Sequence, residues 1–290
     1  MAAKILNQLS VPTFGWLGVN EIERETADGV PESVEIQADP ESITRLHITG
    51  STDLRIRKSG TVIMQIAADH ADLHTRIHAD YGEQIRLIQI YQSGIVTGEL
   101  TADLDDTARF ELIQIYLNPA DTAAGIYVNM NGRKSVFTSH IGYLLDGSNA
   151  LDINLNVVQN GKKTESDTVV KGVLRGHAKK TFRGTIDFRN GAAGSVGAER
   201  EEVLLLDETV QNKTVPVILC AEEDVAGTHG ATIGQIDAGH IFYLQSRGIP
   251  EDRIYEMIAL SKLGSVIGKI GDAETESGIR RQLGTEDEDA

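Results

Sequence analysis

His229 stands between Thr228 and Gly230 in a run of small residues, where strand-like sequence gives way to helix-like sequence. An imidazole can ligate a metal or carry a proton near neutral pH. A histidine in such a run is also a common structural residue. Nine residues earlier lies Cys220, the only cysteine of the chain, after the apolar run Val215-Pro216-Val217-Ile218-Leu219. It reads either as a small buried hydrophobe or as a soft ligand converging with His229 from a neighbouring turn of chain. Carboxylates flank both residues. Glu222, Glu223 and Asp224 follow Cys220, and Glu199, Glu201 and Glu202 precede it. Such groups are mostly solvated. One or two of them could instead complete an oxygen-rich metal site, and Glu223 is the choice on proximity alone.

A second group is His70, His74 and His78. Spacing of i, i+4 suits a metal-binding helix face. The same segment also reads as an alternating strand with its three imidazoles on one solvent face, and nothing nearby supplies a base or a lid. There is no phosphate-binding Gly-rich loop with Lys-Ser or Lys-Thr, no Cys-x-x-Cys pair and no Gly-x-Ser-x-Gly elbow. ATP binding would therefore be a partner's task.

The elements that must position these residues are mostly strands. Period-2 alternation marks Val34–Ala38, Leu54–Arg57, Ile85–Tyr91, Ala108–Leu117, Gly125–Met130, Leu151–Val158 and Thr181–Phe188. Asn131-Gly132, Asp146-Gly147, Asn160-Gly161 and Asn190-Gly191 punctuate them as turns. These two-residue signals favour hairpins. The small-residue segment Gly191–Ala198 favours close stacking of backbone turns, so sandwich and solenoid both stand. Val11–Asn20, with the only tryptophan, is expected to plug one end of the core. After Asp237 the period changes. Asp237 can cap a helix through Arg247, with Gly248 as its stop. Pro250, Glu251 and Asp252 open a second helix, on which Ile254, Met257, Ile258 and Ser261 share one face and Leu263, Val266, Ile267 and Ile270 extend the apolar stripe. The expected divisions are an N-terminal segment over 1–30, a β core over 31–236 and a helical domain with the acidic tail Glu286–Asp289 over 237–290.

The chain has 290 residues and a net charge of −16. Such a surface repels nucleic acid and disfavours anionic membranes. No window approaches the roughly 20 apolar residues that span a bilayer. The N-terminus lacks a signal-peptide pattern, so the expected location is the cytoplasm.

His229-Gly230-Ala231-Thr232, Phe242-Tyr243-Leu244-Gln245-Ser246-Arg247-Gly248, Phe182-Arg183-Gly184 and Glu202–Asp207 resemble the signature of the SufB/SufD family, the scaffolds of iron–sulfur cluster assembly. Pro12-Thr13-Phe14-Gly15-Trp16 resembles the family's short members. The resemblance implies a right-handed parallel β-helix core with a small α-helical C-terminal domain. It also implies pairing through the last β-helix turns, as a homodimer or with a SufB-like paralogue. A SufC-like ABC ATPase would dock on the C-terminal helices, making Ile254, Ile258, Leu263, Val266, Ile267 and Ile270 the partner-binding residues. A transient iron–sulfur cluster would sit at the interface, with ATP hydrolysis left to the partner and no catalysis by the scaffold. His229, Cys220 and Glu223 are then the candidate iron ligands. One Cys and one His fall short of the four protein ligands a cluster generally takes, whereas a two-fold pair of chains supplies two of each.

The sequence also departs from the family's pattern. Val210 stands near the position of the SufB-type cysteine and Gly230 at that of the glutamate after the histidine, so only the histidine of that ligand set carries over. This leaves two alternatives. One is a purely structural partner of the ATPase without ligands. The other is a β-helix carbohydrate-active enzyme using paired carboxylates.

Overall fold

The computed structural model describes residues 3–117, 120–236 and 238–284. The expected helix cap Asp237 and the acidic tail Glu286–Asp289 lie outside the described residues. A short antiparallel pair, β1 (Ala3–Leu6) and β2 (Ile22–Glu25), precedes the main body. Then come β3 (Glu32–Gln37), β4 (Ile43–Ile48), β5 (Thr52–Arg57), β6 (Gly60–Ala79), β7 (Gln84–Leu104), β8 (Arg109–Tyr116) and β9 (Ala120–Met130). They continue as β10 (Val136–Leu145), β11 (Ala150–Gln159), β12 (Glu165–Leu174), β13 (Lys179–Phe188), β14 (Ser195–Leu205), β15 (Gln211–Cys220) and β16 (Val225–Gln235). Three helices follow, α1 (Ala238–Ser246), α2 (Glu251–Ile267) and α3 (Ala273–Gln282).

Every pairing from β3 to β16 is parallel. The molecule is thus mainly β, a parallel solenoid with helices at its C-terminal end. Odd-numbered strands from β9 to β15 stack on one wall, and even-numbered strands from β8 to β16 stack on the other. The long strands β6 and β7 bend from one wall to the other, at a register shift between Ile66 and His70. Each strand aims alternate side chains inward, so the core is a file of stacked apolar residues, including Leu54, Ile56, Leu87, Leu112 and Val128. Like residues meet at one register. Tyr91 pairs with Tyr116 and their rings lie 4.5 Å apart, and Phe110 pairs with Phe137 at 5.5 Å.

The Asn-Gly dipeptides are corners between the walls, not hairpins, because the strand that follows joins the opposite wall and never returns beside its predecessor. Corners of successive turns stack through the backbone. Thr107 donates to the Arg133 carbonyl, Lys134 to Lys162 and Lys163 to Ala193. This approach requires glycine, since a Cβ at Gly132 would fall 1.9 Å from the Asp105 carbonyl carbon and one at Gly161 would fall 2.2 Å from the Gly132 oxygen.

The N-terminal segment lies along the odd-numbered wall. Buried Asn7 donates to Asp152 Oδ1 at 2.6 Å, and Arg183 binds the same carboxylate at 2.5 Å while donating to the Val19 carbonyl. The expected plug around Trp16 is not one. Phe14 is 72% and Trp16 81% exposed, because the polar anchors hold the segment outside the wall while the solenoid's own stacked residues fill the core.

The α2 stripe turns inward too. Leu263, Val266, Ile267 and Ile270 form a second core with Ile63, Ile88, Ile90, Ile113 and Ile115 on the outer face of the even-numbered wall. No helix among the described residues is long and apolar enough to cross a membrane.

Candidate functional site

The solenoid ends in two strands, each paired on one side only. β15 is bonded to β13 and β16 to β14, and no other described strand pairs with them. Register carries the inward file of the preceding turn into this last one. Lys180, Phe182, Gly184, Ile186 and Phe188 continue as Asn212, Thr214, Pro216, Ile218 and Cys220. Gly197, Glu199, Glu201 and Val203 continue as Gly227, His229, Ala231 and Ile233. In the penultimate turn Phe182, Phe188, Glu199 and Glu201 are buried, whereas Cys220 and His229 in the last turn are exposed. His229 therefore faces the solenoid axis at an open mouth, directly above Glu199.

Below it lies a buried charged cluster. Lys180 donates to Glu201 Oε1 and, at 3.1 Å, to Thr214 Oγ1, while the Thr214 hydroxyl donates to Glu201 Oε2 at 2.7 Å. The Tyr143 hydroxyl lies 3.4 Å from Glu201 Oε1 and donates to it. Glu201 is thus fully partnered. Glu199 differs, for it makes no hydrogen bond or ion pair among the described residues although it is only 4% exposed. Its carboxylate crosses the solenoid and rests on Gly184, where a Cβ would stand 1.7 Å from Oε2. Burial, and then the neighbouring Glu201 charge, push the Glu199 carboxyl up to about 7, partly offset by Lys180. Burial likewise pushes the Lys180 ammonium down, against the pull of Glu201.

The motif Phe182-Arg183-Gly184 now has a physical content. Phe182 fills the core, Arg183 faces outward to clamp Asp152 and the N-terminal segment, and Gly184 leaves room for the Glu199 carboxylate.

Of the sequence-derived ligands, Cys220 is a free, exposed thiol whose Sγ lies 3.1 Å from the Glu222 carbonyl. Glu223 is exposed in the corner between β15 and β16. Within one chain Cys220, Glu223 and His229 do not converge. Among the described residues the only group of three ligand atoms within 4.8 Å of one another is His78, Asp80 and Asp105. The reason is strand geometry. His229 lies four residues beyond Val225 along β16, about 13 Å at roughly 3.3 Å per residue, while Cys220 and Glu223 stay at the corner. The acidic residue paired in register with His229 is Glu199, not Glu223.

Two further expectations are corrected. Glu199 and Glu201 are buried, not solvated; alternation places them on the same strand face as Val203, and that was the signal in the sequence. The proposed partner-binding stripe is occupied by its own chain. Ile254, Leu263, Val266, Ile267 and Ile270 are buried and Ile258 is half-buried, the face from Leu263 to Ile270 being spent on the wall. The apolar side chains that α1 and α2 expose are Phe242, Tyr243 and Met257. His70, His74 and His78 lie on a strand, as the alternation predicts. His78 Nε2 stands 3.1 Å from Asp80 and 3.7 Å from Asp105, at a solvated corner where Lys58 also faces Asp80.

The SUF system FeS cluster assembly SufBD core domain model matches residues 56–261. Iron-sulfur cluster assembly protein SufD of Bacillus subtilis is 25% identical over 167 residues, covering 58% of this chain and 37% of that protein. A SufBD family protein of Mycobacterium bovis is 32% identical over 107 residues, or 37% of this chain and 13% of that protein. SufB of Bacillus subtilis is 27% identical over 109 residues, 38% of this chain and 23% of its own length. The chain thus spans well under half the length of these curated relatives. With the matched core domain over most of its length, the chain belongs to the SufB/SufD family.

Proposed function

We propose that the chain is a scaffold component of a SUF-type iron–sulfur cluster assembly complex in the cytosol. It pairs through the open end of its solenoid with a second copy or a SufB-like paralogue, and a nascent cluster is held where the two mouths meet. The observation that carries this reading is the inward His229 on a terminal strand with one free edge, above a buried Glu199 that has no hydrogen-bond partner among the described residues. Cys220 lies at the same mouth, at the corner end of β15, so two paired chains would present two imidazoles and two thiols. Glu223 stays at the exposed corner, outside this ligand set. A SufC-like ABC ATPase would dock on the C-terminal helices, and the exposed Phe242, Tyr243 and Met257 supply the apolar contact that the α2 stripe cannot. ATP hydrolysis is the partner's, and the chain itself catalyses nothing.

Anaerobic reconstitution with iron and sulfide in the presence of the ATPase tests this. Wild type should develop the visible absorption of a cluster, and His229→Ala and Cys220→Ser should lose part of it. Equal iron in wild type and His229→Ala would sink the site. A second reading, a structural partner without ligands, is supported by Val210 and Gly230 standing where the SufB-type cysteine and glutamate are expected. It requires that wild type bind no cluster in the same experiment. A carbohydrate-active reading needs paired carboxylates in an open groove, and Glu199 and Glu201 lie inside the solenoid.

A further inference from the structure

We infer that Glu199 is a cation ligand, and that a single chain captures one divalent first-row metal ion between Glu199 and His229 before any cluster is built. The inference rests on reading the open mouth as the iron site. It adds to that reading a carboxylate one turn inside the edge, in place of Glu223.

The two carboxylates of the buried cluster sit in opposite circumstances. Glu201 receives hydrogen bonds from Lys180, Thr214 and Tyr143. Glu199 has no such partner among the described residues, and it is nearly as buried, 4% exposed against 2%. An isolated carboxylate in such a place is costly unless a cation or a set of donors joins it. Lys180 is already committed to Glu201. The next group along the ladder is His229, in the paired position of the adjacent strand and on the same inward side. Adjacent strands lie about 4.8 Å apart. Bonds of about 2.0–2.2 Å from a metal to imidazole nitrogen and carboxylate oxygen fit an ion seated between two such side chains. A nitrogen and an oxygen donor suit Fe²⁺, Mn²⁺, Co²⁺ or Zn²⁺ better than a hard alkaline-earth ion or a soft cuprous one. The mouth is open above His229, so the ion can enter from solvent and keep water in its other positions.

Glu223 cannot take this role from its corner. Gly184 allows Glu199 to do so, because the space a Cβ would fill is the seat of the carboxylate.

The test uses the full chain alone, without the ATPase, titrated anaerobically with Co²⁺ and followed by calorimetry and by visible absorption of the bound ion. All forms carry His78→Ala, which removes the His78–Asp80–Asp105 group; the otherwise wild-type chain should bind one Co²⁺. Glu199→Gln, nearly isosteric and relieved of a buried charge, should fold and bind at least about tenfold more weakly, as should His229→Ala. Glu199→Asp keeps the charge but withdraws the oxygens, so it should also bind more weakly with its circular dichroism unchanged. Glu223→Gln should bind as wild type does. Wild type that takes no Co²⁺, Glu199→Gln that binds like wild type, or Glu223→Gln that loses as much would each overturn the inference. The scaffold reading fails separately. A chain that binds Co²⁺ through Glu199 but forms no cluster with its ATPase refutes the scaffold and leaves the cation site. Cluster formation together with unaltered Co²⁺ binding by Glu199→Gln does the reverse.

Discussion

The Glu199 carboxyl makes stability depend on pH in an unusual direction. Its proton affinity is raised by folding, from an ordinary 4.5 to about 7. The folded chain therefore binds this proton more tightly than the unfolded chain. The associated stability is fully present below about pH 4.5, falls as pH rises towards 7, and stays lost above it. Each pH unit between the two values is worth about 1.4 kcal/mol, so roughly 3 kcal/mol disappears over the interval. The groups facing Glu199 are Glu201 on its own strand, Lys180 across the solenoid, and its register partners Thr168 on β12 and His229 on β16. Glu199→Gln removes only the titration at 199. Urea unfolding followed by far-ultraviolet ellipticity, repeated from pH 4.5 to 8, should show the variant gaining about 3 kcal/mol on wild type as pH rises. At a slope of about 1–3 kcal/mol per molar urea, that is a midpoint shift of roughly 1–3 M. Parallel stability curves for wild type and variant would refute the account of Glu199 as a buried, unpartnered acid.

Other consequences are more local. Gly184→Ala places a methyl group on the Glu199 carboxylate; it should cost about 1–3 kcal/mol by overpacking, and less in a Glu199→Ala background by double-mutant cycle. Arg183→Met leaves Asp152 buried without its guanidinium; it should cost about 3–5 kcal/mol and open the N-terminal segment to limited proteolysis, whereas unchanged stability would mean the clamp is not formed. Trp16 is the only tryptophan and is held outside the wall, so the free chain should emit at the red, solvent-exposed limit and be quenched readily by acrylamide. A blue-shifted, protected emission would restore the plug.

Much of the solenoid could be read from alternation. Ala108–Leu117 and Thr181–Phe188 match strands β8 and β13 closely, because half-buried strands print a period of two on the sequence. Wall membership could not be read, because Asn160-Gly161 has the same turn chemistry whether the next strand returns or crosses. Only the stacked partner, Gly132, distinguishes a corner from a hairpin. The α2 stripe was visible as a stripe, but periodicity does not name what covers it, and the isoleucines of the even-numbered wall claimed it first. At the mouth, His229 stood out by its surroundings. Glu199 and Glu201 did not, since a carboxylate is read as solvated until its strand parity is weighed against its neighbour Val203. Lys180 was hidden in the same way, by charge, although it shares a strand face with the core residue Phe182.

The position of these charges along the axis argues for an end that meets something. From Leu54 to Val128 the inward file is predominantly apolar, with neutral polar side chains such as Gln89 and Gln114 among them. Near the C-terminal mouth the file changes to Lys180, Glu199, Glu201 and Thr214, with Cys220 and His229 above. A solenoid needs no buried charges to stop growing; a polar cap would suffice. Placing two carboxylates and one ammonium in the penultimate turn costs several kcal/mol in desolvation, and one carboxylate is left without a donor. Below about pH 7 a proton relieves this arrangement; above it, a cation or the proposed second mouth would do so from the open side. The edges are unequal in the same sense. Pro216 leaves β15 one N–H short, as suits an edge strand, whereas β16 keeps the donors needed to pair with another strand. Under the proposed pairing, a second chain would therefore attach through β16, the strand that also carries His229.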